Sequence, residues 1–324
     1  MRALVTGAGG FLGGALVARL RERGDTVRAI VRSQSSVGGL QVIGYETLVI
    51  DIAEPRVLAP ALDGCDAVFH LAGAYEIGMG TRGRHSMFRS NVEATRAVLE
   101  ATAAAGTPRT VYVSTIGVFG NTRGQVVDES YRRDPADGYL SYYDETKYLA
   151  HLAAEEQQAA GRPVIIVQPG QIYGPGDHSA VGRQLAQAHA GRLRTLALAD
   201  VGLNFGHVDD IASGLVLAHD RGRPGEAYVL GGEIARLREA IALAARLGGR
   251  RPPRLTLPTV LLRAVAPLGP LLARPLGFPP DMREVIRAGD GVTYWATDAK
   301  ARRELGYAPR DLATGLGATF ATQG

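Results

Sequence analysis

The feature that most constrains this chain is a glycine-rich turn that begins at Gly7. The apolar run Ala3-Leu4-Val5-Thr6 has the character of a buried strand, and the turn follows it directly. From Gly13 to Arg23 apolar side chains then recur at helical spacing. Strand, turn and helix in this order predict the first unit of an α/β fold, with the helix beginning at the turn.

The first part of the chain continues this alternation of short apolar runs with helical stretches. Strands are predicted at residues 26–31, 46–50, 67–71, 110–114 and 164–168, and helices at residues 57–62, 90–105 and 141–160. Such alternation predicts an α/β protein of the Rossmann type, a doubly wound parallel sheet covered on both faces. Because glycine and proline cluster after Pro169, we predict a nucleotide-binding domain over residues 1–170. Residues 171–324 are predicted to form mainly a smaller substrate-binding lobe, with about 195–230 returning to the main sheet.

Composition excludes several classes of protein. The net charge is +4, but the basic residues are scattered, so nucleic acid is not an expected partner. Cys65 is the single cysteine, which excludes an internal disulfide and fits a cytoplasmic location. The apolar stretch 255–280 contains Arg263, Arg274 and several prolines, so no membrane span is expected.

The spacing of Gly7, Gly10 and Gly13 indicates what the turn would bind. Glycines allow the backbone to turn tightly and approach a pyrophosphate, which the N–H groups of the following helix can bind. An acid about 20 positions further would hold the ribose 2′-hydroxyl of NAD, but the second strand ends in Arg32. Because arginine can bind a 2′-phosphate, NADP(H) is predicted as the preferred cofactor, with NAD(H) possible.

A second candidate centre is the pair Tyr143 and Lys147. Four residues apart on a helix, the two side chains share a face, and a lysine charge beside a phenol is expected to lower its pKa. The chain has only two lysines, so one here indicates a need for a compact ammonium group. Thr115, at the end of the fifth strand, could bind a substrate carbonyl, and its neighbour Ser114 could take the same role.

Together these motifs resemble the extended short-chain dehydrogenase/reductase family over nearly the whole chain. The similarity includes Asn91-Val92-Glu93-Ala94-Thr95, with Ala94 where the family has glycine, and Pro169 to Asp177, with Gln168 in place of an arginine. The second strand resembles that of the dihydroflavonol-reductase-like branch, which uses NADPH. Later segments resemble hopanoid-associated sugar epimerases.

The resemblance implies roles for individual residues. Thr115, Tyr143 and Lys147 would be catalytic, and Tyr75, Thr115 and Gln171 would border the substrate. It implies no metal, and a homodimer formed through helices 90–105 and 141–160. The cofactor would be held by Gly7, Gly10, Phe11, Leu12, Gly13, Arg32, Asp51, Ile52, Leu71, Ala72, Gly73, Asn91, Lys147, Pro169 and Ile172.

Three functions fit these residues. The leading hypothesis is an NADPH-dependent oxidoreductase that reduces a ketone or an aldehyde, with Tyr143 as the general acid/base. A sugar-nucleotide epimerase with tightly bound NAD(P) would use the same residues, and a non-catalytic NADP(H)-binding sensor would use only the cofactor site. The substrate, a small carbonyl compound or a sugar, would lie beside a glycine-containing loop at residues 75–88, which is expected to act as a mobile lid.

Overall fold

The computed structural model describes residues 1–32, 45–269 and 279–321. Its strands lie in three sheets and follow the apolar runs of the sequence closely. In chain order they are β1 (Arg2–Thr6), β2 (Thr26–Val31), β3 (Glu46–Val49), β4 (Ala67–His70), β5 (Arg109–Val113), β6 (Val164–Pro169), β7 (Gln171–Tyr173), β8 (Thr195–Leu196), β9 (Gly202–His207), β10 (Ala227–Leu230), β11 (Glu233–Arg236) and β12 (Leu255–Thr256).

The helices alternate with the strands in the first half of the chain and dominate the end of the second. They are α1 (Phe11–Glu22), α2 (Pro55–Leu62), α3 (Thr81–Phe88), α4 (Ala94–Ala104), α5 (Tyr142–Ala159), α6 (Ala180–His189), α7 (Val208–Arg221), α8 (Leu237–Leu247), α9 (Thr259–Val265), α10 (Met282–Gly289), α11 (Ala299–Leu305) and α12 (Leu312–Ala321).

The main sheet has seven strands in the order β10-β6-β5-β4-β1-β2-β3, and every neighbouring pair is parallel. Side chains alternate across it, so Val5 packs with Leu16 of α1 and Ile211 of α7, whereas Leu4 packs with Leu58 of α2 and Val98 of α4. Both faces are therefore covered by helices. This is the doubly wound Rossmann arrangement predicted from the sequence.

The chain returns to the main sheet in only part of the predicted range 195–230. β10 pairs with β6 at the sheet edge, and α7 packs on the core, but β9 lies in a separate sheet of order β11-β9-β7. That smaller sheet and α8 share a second apolar core, which includes Phe205 and Ile241. The division into domains at residue 170 stays a prediction.

Two helical segments differ from the predictions. The helix predicted at residues 90–105 begins with a π-helical turn, Arg89–Glu93, which joins α3 to α4. The second difference concerns the loop expected at residues 75–88. It is a loop only as far as Gly80, because Thr81–Phe88 is helical despite Gly83. Within the described residues, no helix is long and apolar enough to cross a membrane.

Candidate active site

The carboxyl edge of the main sheet brings most of the predicted site residues together. Gly7 follows β1, Arg32 follows β2, Ala72 lies just beyond β4, Thr115 just beyond β5 and Gln171 just beyond β6. These strands are parallel neighbours, so the segments that follow them emerge at the same edge. Ligands of open α/β sheets bind in this position.

The glycine turn has the geometry of an anion cradle. Gly7 has a φ of +73°, and a Cβ there would lie 2.9 Å from the backbone nitrogen of Ala72. A Cβ on Gly13 would overlap the carbonyl group of Gly7, so the first turn of α1 can approach β1 only with glycine. No side chain caps the start of α1, where Phe11 and Leu12 lie, and its first turn contains no acidic residue. The helix N-terminus can therefore serve a bound phosphate.

Arginine and carboxylate side chains lie beyond β2 and β3. Arg32 is exposed, and its Nη1 lies 3.5 Å from the hydroxyl of Ser90. Asp51 pairs with Arg89 over 2.8 Å, and this hydrogen bond is the largest effect lowering the pKa of Asp51. Arg89 also reaches Glu54 at 2.9 Å. Sequence reasoning missed Arg89, because its partners Asp51 and Glu54 are far from it in sequence.

The segment after β4 is held by buried hydroxyl and imidazole groups. The Thr6 hydroxyl accepts hydrogen bonds from the backbone nitrogens of Leu71 and Ala72, both over 3.2 Å, and lies 2.7 Å from Nδ1 of His70. Burial lowers the pKa of His70 to about 3, with the charge of Lys147 acting in the same direction. His70 is therefore neutral and fixes the loop, rather than exchanging protons at neutral pH.

Asn91 joins that loop to α5. Its Oδ1 accepts a hydrogen bond from the nitrogen of Ala74 over 2.7 Å, and its Nδ2 donates to Thr146 over 2.9 Å. Gly73 lies so close that a Cβ there would be 3.2 Å from the same Oδ1. The side chain of Asn91 is thus fully used within the protein. Ile52, which follows β3, is buried and packs with the core formed by α2 and α4.

Lys147 lies beneath the site on α5. Its ammonium group donates a hydrogen bond to the carbonyl oxygen of Val113 over 3.0 Å and lies 5.2 Å from the ring centre of Tyr112. The side chain is only 8% exposed, and burial lowers its pKa to about 8. A small change of environment can therefore decide whether this group is charged near neutral pH.

Tyr143 differs from the expectation that a neighbouring lysine would lower its pKa. Its pKa is raised, because desolvation of the phenol has the largest effect and the nearby Tyr75, Tyr112 and Asp144 act in the same direction. A hydrogen bond with Thr115 opposes this increase. The Lys147 ammonium, engaged by the Val113 carbonyl, does not offset it. Tyr143 therefore keeps its proton at neutral pH.

The structure separates Thr115 from Ser114. Ser114 is buried, and its hydroxyl lies 2.9 Å from Nδ1 of His151, which in turn reaches Glu155 at 3.4 Å. Thr115 is partly exposed and accepts a hydrogen bond from the nitrogen of Gly117 over 3.1 Å. Its hydroxyl also forms a side-chain hydrogen bond with the phenol of Tyr143. Thr115 is thus the hydroxyl that borders Tyr143, while Ser114 is turned into the protein.

The residues predicted to border the substrate differ in how they are presented. Tyr75 is 58% exposed, and its ring meets that of Tyr143 edge-on with 4.7 Å between the centroids. Gln171 is half-buried, and its amide nitrogen donates to the carbonyl oxygen of Ile172 over 3.1 Å.

Two residues predicted to hold the cofactor lie at the end of β6 or just beyond it. Pro169 is buried at the end of β6, and Ile172 packs against the main core.

A buried ion pair that sequence reasoning missed fixes the start of α5. Arg133 lies 2.9 Å from Asp144, and both side chains are almost fully buried. The hydroxyl of Ser141 caps the helix by accepting a hydrogen bond from the nitrogen of Asp144 over 3.0 Å. Tyr143 therefore lies in a helical turn that is held on both sides.

Comparison with known proteins places the chain in a family. Residues 3–231 match the model of the NAD dependent epimerase/dehydratase family. A 4-hydroxy-2-methyl-3-oxo-4-farnesyl-3,4-dihydroquinoline-1-oxide ketoreductase from Stigmatella aurantiaca is 33% identical over 96% of this chain and 92% of its own length. A 2-alkyl-3-oxoalkanoate reductase from Stenotrophomonas maltophilia is 32% identical over 96% of this chain and 95% of its own length.

The fold also matches that of more distant enzymes. The structure of a UDP-glucose 4-epimerase from Thermotoga maritima with UDP-glucose superposes with a TM-score of 0.79, covering 100% of this chain and 99% of that one. At 20% identity this likeness shows the fold alone. With its parallel sheet, its glycine turn and the match over residues 3–231, the chain belongs to the NAD dependent epimerase/dehydratase family.

Proposed function

We propose that this protein reduces a ketone or an aldehyde to an alcohol, with NADPH as the hydride donor. The arrangement that carries the proposal is the phenol of Tyr143 beside the hydroxyl of Thr115, in surroundings whose burial raises the pKa of the phenol. Reduction of a carbonyl needs a proton donor at the oxygen, whereas oxidation of an alcohol needs a base. Because Tyr143 keeps its proton at neutral pH, its phenol is in the form that reduction of a carbonyl requires.

The residues at the carboxyl edge fit a nicotinamide dinucleotide. The uncapped start of α1 and the cradle at Gly7 and Gly13 would hold its pyrophosphate. The exposed guanidinium of Arg32 would bind a 2′-phosphate, and Lys147 would bind the nicotinamide ribose. When bound, the cofactor supplies the hydride.

The protein's own residues would supply the remaining chemistry. Thr115 orients the substrate by hydrogen bonding to its carbonyl oxygen, which gains negative charge during the reaction. Tyr143 donates its phenolic proton to that oxygen, so the alcohol leaves neutral. Asn91 and Asp144 hold the loop and the helical turn around this pair through the bonds they make inside the protein.

The relatives suggest a substrate class. Two of the reductases that are similar over nearly the full chain have names that describe ketones carrying an alkyl or farnesyl chain. The exposed ring of Tyr75 beside Tyr143 gives the site an apolar border that such a chain could contact. We therefore propose ketones with an apolar chain as the first compounds to examine.

The test is consumption of NADPH with a panel of such ketones and aldehydes. Replacing Tyr143 with phenylalanine should lower kcat by about 10² to 10⁴ while NADPH binding persists, because only the proton donor is lost. Tyr148→Phe, on the same helix, is the matched control and should keep the wild-type rate. Full turnover by the Tyr143 variant would disprove the role of the phenol, and purification with bound NAD and no NADPH oxidation would disprove the reductase.

A further inference from the structure

A buried carboxylate outside the predicted site contacts two segments that border it. Glu284 lies in the first turn of α10 and is 1% exposed. Its Oε2 accepts a hydrogen bond from the backbone nitrogen of Gly78 over 3.0 Å, and its Oε1 accepts one from the backbone nitrogen of Tyr142. Among the described residues, no cationic side chain forms an ion pair with it.

Such a side chain needs hydrogen-bond partners inside the protein, because its oxygens have no access to water. Removing a carboxylate from water is costly unless strong hydrogen bonds replace the lost hydration. Here the replacement comes from two backbone N–H groups, one of them at the first residue of α5, where the helix dipole also favours negative charge. Glu284 thus acts as a cap for α5 that is supplied by another part of the chain.

The two backbone groups lie beside the two contacting tyrosines. Tyr142 directly precedes Tyr143, and Gly78 is three residues after Tyr75. The rings of Tyr75 and Tyr143 meet with 4.7 Å between their centroids. One carboxylate therefore connects the loop that carries one ring with the helix that carries the other.

The loop is fitted closely to α10 at this point. Gly78 has a φ of +79°, and a Cβ there would lie 2.6 Å from Cγ2 of Val285 and 2.9 Å from the carbonyl oxygen of Asp281. The nitrogen of Asp281 also donates to the carbonyl oxygen of Gly78 over 2.9 Å. Both backbone groups of Gly78 are consequently held by the start of α10.

Other side chains reinforce the same junction. Arg287 of α10 donates a hydrogen bond to the carbonyl oxygen of Leu140 over 2.9 Å, next to the start of α5. The guanidinium of Arg84, on α3, lies 5.0 Å from the ring centre of Tyr142 and 3.9 Å from Asp281. Three helices meet here, and Glu284 contributes the bonds at the centre of the junction.

From these contacts we infer that Glu284 is a positioning residue that sets the placement of Tyr75 against Tyr143, and hence the geometry in which a substrate meets the proton donor. The inference rests on the proposed function, since it assigns these two rings to substrate contact and proton transfer. Glu284 acts through the backbone of its neighbours and does not touch the reacting atoms. A displacement of about 1 Å at such a site can reduce the rate about a hundredfold.

The direct test is hydrogen–deuterium exchange of the full-length protein with and without the carboxylate. Glu284→Gln retains one acceptor oxygen but points an NH₂ group at the second backbone N–H, so one of the two bonds is lost. Exchange should become about tenfold faster in the peptide that loses its bond, as expected for the loss of about 1.4 kcal/mol. The other of the two peptides, which contain Gly78 and Tyr142, should also exchange faster, because Glu284 connects the two segments. Glu284→Ala should accelerate both peptides further.

The matched control is Glu129→Gln. Glu129 also accepts a backbone hydrogen bond, from the nitrogen of Val229 over 2.8 Å, but neither segment carries Tyr75 or Tyr143. This control should leave exchange at Gly78 and Tyr142 unchanged. Unchanged exchange in both Glu284 variants, or equal acceleration in the control, would overturn the inference.

The functional consequence is measured with any carbonyl compound that the wild type reduces. Rates are normalised to the sites that bind NADPH, so loss of folded protein does not count as loss of activity. Glu284→Gln should lower kcat/KM about tenfold while the Kd for NADPH stays within about twofold, because the cofactor cradle is elsewhere. If exchange becomes faster in both peptides of the Glu284 variants but kcat/KM is unchanged, a positioning role is refuted.

If exchange becomes faster in both peptides but the wild type reduces no carbonyl compound, the proposed function is refuted instead. The connection between the two segments through Glu284 then still holds.

Discussion

The ammonium group of Lys147 donates a hydrogen bond to the carbonyl oxygen of Val113 over 3.0 Å, which ties α5 to the carboxyl end of β5. The acceptor carries no charge, and the Lys147 side chain is buried. Burial therefore lowers the pKa of Lys147 to about 8. The hydrogen bond to Val113 stabilises the lysine, but burial of its charge lowers the free energy of unfolding. The size of this loss depends on pH.

The first prediction concerns that dependence. Below pH 8 both the folded and the unfolded chain hold the proton, and the folded state bears the full cost of the buried charge. Between the folded pKa of about 8 and the unfolded value of 10.5, the unfolded chain binds more protons, so stability should rise with pH. Across this range the contribution from Lys147 amounts to about 3 kcal/mol.

Urea unfolding of Lys147→Met between pH 7 and pH 10 measures this contribution, since the variant should lack the rise. Lys300→Met provides the baseline, because it removes the only other lysine from a position where the ammonium pairs with Glu226 over 2.8 Å. A wild type and a Lys147 variant with parallel pH profiles would contradict the prediction.

The second prediction concerns cofactor choice. Arg32→Ala should weaken binding of NADPH about tenfold to a hundredfold and leave NADH nearly unaffected, because only the 2′-phosphate needs the guanidinium. Calorimetric titration with both cofactors measures the difference. Arg19→Ala, near the other end of α1, should change neither affinity. Equal losses for NADPH and NADH in the Arg32 variant would show that the side chain does not select the phosphate.

The third prediction separates two adjacent hydroxyls. Thr115→Val should lower kcat by about 10 to 10³, because the donor to the carbonyl oxygen is removed without a change in shape, and Thr115→Ser should restore most of it. Ser114→Ala should keep its turnover but lose about 1–2 kcal/mol of stability, since Nδ1 of buried His151 loses its partner. Initial rates and urea unfolding measure both effects, and the reverse pattern would reassign the roles.

The fourth prediction concerns the buried pair of Arg133 and Asp144. Arg133→Met should reduce the free energy of unfolding by about 3–5 kcal/mol, because it leaves a carboxylate buried without its partner. The neighbouring Arg132 is 67% exposed in its own ion pair, so Arg132→Met should cost under about 1 kcal/mol. Similar losses in the two variants, measured by urea unfolding, would show that burial of the pair contributes little.

Local signals in the sequence were sufficient for the elements of the main sheet. The strand before Gly7 and the helix after it are specified by adjacent residues, and the structure has both. A return of about residues 195–230 to the main sheet was also predicted, but the pairing of β10 with β6 could not be derived because the two strands are far apart in sequence. Non-local pairing is decided by packing, which the local pattern does not contain.

The sequence predicted which residues lie at the carboxyl edge of the sheet, but not the electrostatics around them. Strand ends identified Thr115 and helical spacing identified Tyr143, yet the direction of the Tyr143 pKa shift was wrong because it is set mainly by burial. Glu284 was missed for a related reason. Its surroundings, Asp281-Met282-Arg283-Glu284, are typical of an exposed helix start, and only the folded chain brings Gly78 and Tyr142 to it.

The place of β10 at the edge of the main sheet has a consequence for protein synthesis. Because β6 is synthesised well before β10, it leaves the ribosome first, and its outer edge then has no strand beside it. That edge is formed by Val164 to Val167, a run of apolar and β-branched residues of the kind that pairs with other chains. A nascent chain is thus open to aggregation until residue 230 is available, and a chain terminated before Ala227 stays in that state permanently.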